Sequence, residues 1–292
     1  MRLDCHIHSK TADCDADIAS IISNMKAGGF DGGIVFSQSP SRGLRDDAPS
    51  PQERIDAVLK ITDRQKYLFP FFFIDPTEPD ALEQVSLADS KGIMGFKVIC
   101  SSHFPCDDRA MPVYKMMSQL NKPLMFHSGI LYDGRNASGN YNRPCNFEGL
   151  LSVDGLRFSL AHVSWPWTDE CIAVYGKFNN YYSRSKHSGE NGNAGEMFVD
   201  LTPGTPKPYR KPMFDRLLFS GYNIKTNLIY GIDNSLNPYG FGYAKETLEY
   251  DESIFDEYYR DGGMFGHKLD NDFKEHLYYI NIMRFIGLPE DY

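Results

Sequence analysis

The sequence lacks several features that would assign it to a functional class directly. No uninterrupted apolar run is long enough to cross a bilayer, and no charged segment followed by an apolar one opens the chain, so we expect neither a membrane span nor a signal peptide. The net charge is -9 and no basic run is present, which argues against nucleic-acid binding. We therefore expect a cytoplasmic protein that binds small molecules through a local pocket.

Two motifs are also missing. The six cysteines are scattered without a Cys-x-x-Cys pair, so in a chain this long we expect reduced, mostly packing thiols rather than a disulfide framework. No glycine-rich phosphate-binding fingerprint follows the first predicted strand. The composition itself is ordinary for a globular protein, 41% hydrophobic and 24% charged over 292 residues, enough for one large α/β domain or two smaller ones.

The opening segment, residues 3–8 with the sequence LDCHIH, carries the first functional signal. Side chains alternate along a strand, so His6 and His8 project from the same face, where two imidazoles can hold one metal ion. In a barrel strand these histidines would face the mouth, and Cys5 and Ile7 would face outward. The alternative is a half-buried strand whose histidines alternate without function.

Strand and helix patterns alternate through the rest of the chain. After the opening segment, strands are predicted at residues 33–36, 68–74, 93–99, 123–127, 156–163, 197–201 and 228–233. Helices are predicted near residues 18–27, 50–62, 79–90, 111–120, 168–178, 213–221 and 270–285. Residues 128–146 form a long polar loop, 179–196 a mobile insertion, and a long excursion follows the eighth strand.

This alternation implies parallel strands with right-handed crossovers. At this length the natural closure is a (β/α)8 TIM barrel, a single domain over residues 1–292 with its active site at the C-terminal strand ends. A doubly wound open sheet is the structural alternative.

Ligand-type side chains end four of the eight predicted strands. His6 and His8 end the first, His127 the fifth, His162 lies near the end of the sixth, and Asp233 ends the eighth. Three imidazoles and a carboxylate are typical of catalytic zinc, with one position left for water, whose pKa falls to roughly 7 on the metal. Taken singly, His127 or His162 could be a barrel histidine hydrogen-bonded to a backbone carbonyl, and Asp233 could cap a turn or a helix. Together these residues favour a metal site.

The same segments resemble the amidohydrolase superfamily, in particular the branch that includes aminocarboxymuconate-semialdehyde decarboxylase and related benzoate decarboxylases. The similar segments are the DxHxH-like start at 4–8, the GxK segment and histidine strand within 94–129, the strands at 156–167 and 228–234, and the closing helix at 280–288. Two positions depart from the branch: Ile99 stands where a histidine is frequent, and Ser164 replaces a glycine.

The resemblance implies a TIM-barrel enzyme in which His6, His8, His127 and Asp233 bind a divalent transition metal. Affinity order favours zinc, with manganese as the alternative. It also implies that Asp233 and His162 are the catalytic proton carriers, unless His162 binds a second metal.

Three further residues are candidate substrate contacts. A strand-four lysine can be carboxylated and bridge two metals in the wider superfamily, but the branch resembled here holds one, so we expect an unmodified Lys97 that pairs with Asp4 or Asp75 or meets a substrate carboxylate. Arg143, after the fifth strand, could clamp a carboxylate bidentately or be a solvated loop charge. Trp165, after the sixth, either walls the pocket or packs the loop.

Three functions follow from these residues. The first is a hydrolase that uses metal-activated water to attack an amide, ester or lactone carbonyl. The second is a non-oxidative decarboxylase of an aromatic or unsaturated acid, which an arginine facing the metal would favour. The third is a non-catalytic metal- or ligand-binding barrel, which the complete ligand set disfavours. Late tyrosines suit the interface of a homo-oligomer, namely Tyr239, Tyr243, Tyr250, Tyr258 and Tyr259.

Overall fold

The computed structural model describes residues 1–9, 17–40, 48–132, 138–188 and 194–292. The strands are β1 Leu3–His8, β2 Gly32–Phe36, β3 Leu68–Phe73, β4 Gly95–Val98, β5 Leu124–Phe126, β6 Arg157–Leu160, β7 Glu196–Asp200, β8 Leu228–Ile229 and β9 Asn234–Ser235. They form one curled sheet of nine strands in the order β8-β7-β6-β5-β4-β3-β2-β1-β9. Neighbouring strands are parallel throughout, so the predicted α/β fold with a parallel sheet is confirmed.

Helices connect the strands and cover the sheet. They are α1 Ile18–Ala27, α2 Pro51–Thr62, α3 Ala81–Ser90, α4 Met111–Gln119, α5 Thr168–Ser188, α6 Lys207–Phe219, α7 Phe241–Arg260, α8 Phe273–Glu275 and α9 Asn281–Ile286, with a π-helical turn His276–Ile280 joining the last two. Within the described ranges, no helix combines the length and the apolar character that a membrane span needs.

The sheet's two edge strands are close neighbours in the chain, separated only by residues 230–233. On one side Leu201 N donates to the carbonyl of Ile229 at 2.9 Å, and on the other Cys5 N donates to the carbonyl of Tyr230 at 2.9 Å. The predicted eighth strand at 228–233 is therefore broken in two. Asp233, at φ 59°, interrupts it with a left-handed backbone that no strand contains.

A shift of register inside β1 corrects the predicted alternation. The pairing with β2 slips between Asp4 and Ile7. Ile7 packs outward in the helix-facing core as predicted, but Cys5 packs with the inner cluster that includes Phe36. The Phe36 ring in turn contacts that of His6, with centroids 4.9 Å apart. A bulge of this kind re-aims side chains at the end of a strand, here the histidines.

Two regions are more helical than the sequence predicted. The excursion after the sheet contains α7, whose buried stripe includes Asp251, a charge that masks the helical periodicity. Part of the insertion predicted at 179–196 continues α5, since residues 179–188 contain neither Gly nor Pro to stop the helix, and residues 189–193 lie outside the described ranges. Tyr239 and Tyr258 are buried inside the chain, which removes them from any subunit interface.

The start of α2 offers a test of local structure. Ser50 accepts a hydrogen bond from the Glu53 backbone N–H, and the Glu53 carboxylate accepts one from the Ser50 N–H at 2.8 Å, which completes a capping box. Ser50→Ala should lower the free energy of unfolding by about 1 kcal/mol because it leaves a helix N–H unsatisfied. Urea denaturation measures the loss, with Ser86→Ala on α3 as the control. An equal loss in both variants would contradict the capping role.

Candidate metal centre

A cavity of about 510 Å³ opens at the C-terminal ends of the strands. Seven of the candidate residues line it: His6, His8, Lys97, His127, His162, Trp165 and Asp233. They come from β1, from the ends of β4, β5 and β6, and from the link between β8 and β9. Residues scattered along the chain therefore meet at one point because parallel strands present all their carboxyl ends to the same side.

Asp233 lies at the middle of the cluster. The Nε2 atoms of His6 and His8 are 3.1 Å apart, and they lie 3.5 and 3.3 Å from Asp233 Oδ1. The other carboxylate oxygen, Oδ2, is 4.0 Å from His162 Nε2. Ligand atoms of His6, His162 and Asp233 all lie within 4.8 Å of one another, a spacing that a single ion can bridge.

His127 completes the group from β5. Its ring centroid is 5.1 Å from that of His162, and its buried Nε2 has no hydrogen-bond partner among the described residues. A buried imidazole nitrogen without a partner is costly in a native protein unless something binds to it. A metal ion would satisfy this nitrogen, so the donor set fits such an ion.

The protonation states suit metal binding. Burial, reinforced by the nearby Lys97 ammonium, holds the pKa of His6 well below its usual range, and burial does the same to His127. Burial also lowers the pKa of His162 to about 4. Burial alone would raise the pKa of Asp233, but the surrounding histidines hold it well below its usual range. At neutral pH His6, His127 and His162 are thus neutral and Asp233 is charged, as metal ligands must be.

Two residues that the sequence analysis missed orient these histidines. Asp200, the last residue of β7, places Oδ2 2.6 Å from His6 Nδ1. Its Oδ1 accepts a hydrogen bond from the Thr202 N–H at 2.6 Å, and Thr202 Oγ1 lies 2.9 Å from His162 Nδ1. Both Nδ1 atoms are thereby engaged, which leaves both Nε2 atoms facing Asp233. The sequence signal for Asp200 is a carboxylate near the end of the predicted seventh strand, the same kind of signal that marks Asp233.

Unusual backbone holds the sixth-strand histidine. His162, Val163 and Ser164 have φ angles of 60°, 47° and 55°, so three successive residues are left-handed. Each such residue costs of order 1–3 kcal/mol, and strain of this kind clusters at functional sites. The turn is packed tightly against the loop after β5, where a Cβ on Gly129 would lie 2.4 Å from the Trp165 carbonyl oxygen. Strand β6 thus ends at Leu160, and His162 sits on a turn rather than on the strand as predicted.

Lys97 and Asp4 lie next to the cluster. Lys97 Nζ is 3.3 Å from His6 Nε2 and 5.1 Å from the centroid of the Phe36 ring. Asp4 Oδ1 accepts the backbone N–H groups of His6 at 3.0 Å and Ile232 at 2.9 Å, and the Tyr239 hydroxyl donates to Oδ2 at 2.9 Å. Burial raises the pKa of Asp4 to about 7. Asp4 therefore ties β1 to the link that carries Asp233.

The two remaining candidates, Trp165 and Arg143, differ in whether they line the cavity. Trp165 lines the cavity and packs on Tyr209, with ring centroids 5.1 Å apart. Arg143 is not among the lining residues, and its Nε donates to Glu170 Oε2 at 2.8 Å while its guanidinium lies over the Trp167 ring. With its side chain half exposed, Arg143 behaves as the solvated loop charge that was its alternative. The structure does not bring it to the metal centre.

Comparison with known proteins identifies the fold. No protein-family model matches the chain, and no curated protein matches it. A solved TIM-barrel protein from Bordetella bronchiseptica, itself uncharacterised, is 15% identical over 98% of both chains, with a TM-score of 0.68. Enamidase, described as a member of the amidohydrolase superfamily, is 13% identical over 98% of this chain and 67% of its own, with a TM-score of 0.63. Amidohydrolase 2 from Bifidobacterium longum subsp. infantis is 10% identical over 99% of both chains, with a TM-score of 0.55. At these identities the likeness establishes the fold alone, which this chain shares with TIM-barrel proteins that include amidohydrolases.

Proposed function

We propose that the chain is a metal-dependent hydrolase of small carbonyl compounds, an enzyme of the amidohydrolase superfamily in the branch that its motifs resemble. The carrying observation is that His6, His8 and His162 surround Asp233 within one cavity, which His127 also lines with its ring against that of His162. We also propose that the sheet is a closed (β/α)8 barrel and the chain a single domain. Hydrogen bonds from residues 228–236 to both β7 and β1 support that closure.

In this proposal His6, His8, His127 and Asp233 hold one divalent metal, zinc by affinity order, or manganese. Such a metal supplies a nucleophile at neutral pH by lowering the pKa of water to about 7, and it polarises a carbonyl oxygen. Asp200 keeps His6 in the tautomer that presents Nε2.

The chain's own residues then move protons. Hydrolysis adds the oxygen of water to the carbonyl carbon, breaks the bond to the leaving nitrogen or oxygen, and delivers a proton to that leaving atom, with no change of oxidation state. Asp233 faces the ligands and His162 at once, so it can accept the proton of water and pass it on. His162, neutral and hydrogen-bonded to Thr202, is placed to assist the transfer.

The decarboxylase alternative loses its main support. Its expected arginine, Arg143, is paired with Glu170 away from the cavity. Lys97 lines the cavity, where its side-chain nitrogen can meet a substrate carboxylate or carbonyl oxygen. No observation among the described residues favours decarboxylation over hydrolysis, and the non-catalytic barrel would leave the buried, strained His162 turn unexplained.

Lys97 also bears on the number of metals. An ammonium 3.3 Å from a ligand nitrogen repels a cation bound there, so metal loading should turn Lys97 towards substrate. A carboxylated lysine would instead bind a second metal, and that second metal would take His162 as a ligand. We propose one metal and an unmodified Lys97, which keeps His162 free for proton transfer.

Metal analysis tests the proposal directly. Protein purified without chelator and supplemented with zinc or manganese should hold about one equivalent of metal, and His6→Gln should lose it. His276→Gln, on the π-helical turn and not among the cavity-lining residues, is the matched control and should keep it. A panel of lactones, amides and aromatic acids then separates hydrolysis from decarboxylation. Metal content below about a tenth of an equivalent, or two anomalous peaks roughly 3.5–4 Å apart, would contradict the one-metal site.

A further inference from the structure

The walls of the cavity differ in chemistry from one side to the other. Residues that follow β4, β5, β6 and β7 form one wall, and these strands are consecutive in the sheet. The wall is largely apolar, consisting of Ile99, Ile130, Leu131, Trp165 and Pro203. Of its hydroxyl-bearing residues, Tyr132 is largely exposed, and Ser128 uses its hydroxyl on Ser164 Oγ at 2.6 Å, so the Ser128 hydroxyl is engaged by the protein rather than offered to the cavity.

The opposite wall is polar. It is built from residues that follow β1 and β2 or belong to β9, which are also neighbours in the sheet. Its members are Ser9, Gln38, Ser39, Asn234 and Ser235. The histidines and Asp233 lie between the two walls, so a molecule that reaches the metal centre meets apolar groups on one side and hydrogen-bonding groups on the other.

Gln38 makes the polar wall more than a solvated edge. Its residue is 8% exposed, yet its side-chain Oε1 has no hydrogen-bond partner among the described residues. Its backbone carbonyl is held in place by Arg54 Nη1 at 3.3 Å, so the side chain is presented from a fixed position. A buried amide oxygen left without a hydrogen-bond donor is costly, and within a binding cavity the natural donor is the ligand.

We propose that the cavity takes an amphipathic carbonyl compound whose planar apolar arm lies on Trp165 and whose hydroxylated arm reaches Gln38. The inference rests on the proposed function, because it places the scissile carbonyl at the metal centre between the walls. A hydroxyl suits Gln38, since it both donates and accepts as a carboxamide does. The apolar arm suits Trp165, which is only half-buried and is backed by the Tyr209 ring at 5.1 Å.

Binding of four matched amides to metal-loaded protein tests both arms without requiring turnover. The probes are N-benzylglyceramide, N-benzylpropanamide, N-methylglyceramide and N-methylpropanamide, measured by titration calorimetry. We expect the hydroxylated probe of each pair to bind about tenfold more tightly than its deoxy partner, and the benzyl probe more tightly than the methyl one. Gln38→Leu should abolish the first preference only, and Trp165→Leu the second only.

Matched controls make the same changes away from the cavity. Gln119→Leu lies on the exposed face of α4, and Trp167→Leu replaces the other tryptophan, which is not a lining residue. Both should keep both preferences. The inference is overturned if the wild-type protein shows neither preference, or if Gln38→Leu and Trp165→Leu leave them unchanged. The proposed function fails separately, if no member of the hydrolysis panel turns over while these binding preferences hold.

Discussion

Asp233→Asn should lower the turnover of a hydrolysed substrate by about 10²-fold or more while the fold and most of the bound metal are retained. One carboxylate oxygen faces His6 and His8 and the other faces His162, so the two oxygens would link the proposed ligands to the proposed proton carrier. Asparagine keeps an oxygen that can face the metal, but its neutral amide cannot take a proton from water. The measurement is kcat on the best panel substrate, normalised to metal content.

The backbone makes this substitution a clean test. Asp233 has a φ of 59°, a left-handed conformation that asparagine tolerates better than most residues, so the change adds little strain. Asp63→Asn, an exposed residue at the end of α2, is the control for loss of one negative charge. Wild-type turnover in a fully metal-loaded Asp233→Asn protein would remove Asp233 from the mechanism.

Much of the fold could be predicted from sequence because most strands and helices of the parallel sheet have a local signal. Buried parallel strands are short apolar runs such as residues 33–36, and a capping box marks the start of α2. The failures occur where the signal is not local. A buried Asp251 disguises α7, and the left-handed Asp233 divides the last strand. Both arise from tertiary contacts that no window of sequence contains.

The residues of the candidate site also differ in whether a local sequence signal predicts them. His6, His8, His127, His162 and Asp233 were found because metal-ligand residue types stand at predicted strand ends, and the structure brings all five to one cavity. The prediction for Arg143 rests on its charge alone, and charge does not reveal that Glu170 on α5 holds the side chain. The role of Asp200 depends on a contact with a residue 194 positions away, which residue type at one position cannot disclose.

Asp200→Asn is expected to weaken metal binding by about 10- to 100-fold, the usual effect of removing a carboxylate that holds a metal-bound histidine. Asp200 Oδ2 lies 2.6 Å from His6 Nδ1, and Oδ1 holds the turn that brings Thr202 to His162. An asparagine amide can turn its NH₂ towards Nδ1, which would stabilise the other tautomer and put a proton on the nitrogen that must bind metal. Competition with a chromophoric zinc chelator measures the affinity, and Asp215→Asn on α6 is the control.

A merely structural role for Asp200 predicts a different result. The residue is fully buried, and burial raises the pKa of its carboxyl, so a neutral amide of the same shape costs the metal-free protein little. If Asp200 orients His6, the Asp200→Asn variant should bind metal more weakly than the wild type, while the melting temperature of its metal-free form stays near that of the wild type. If Asp200→Asn lowers the metal-free melting temperature but binds zinc as tightly as the wild type, Asp200 supports β7 alone and does not orient the ligand.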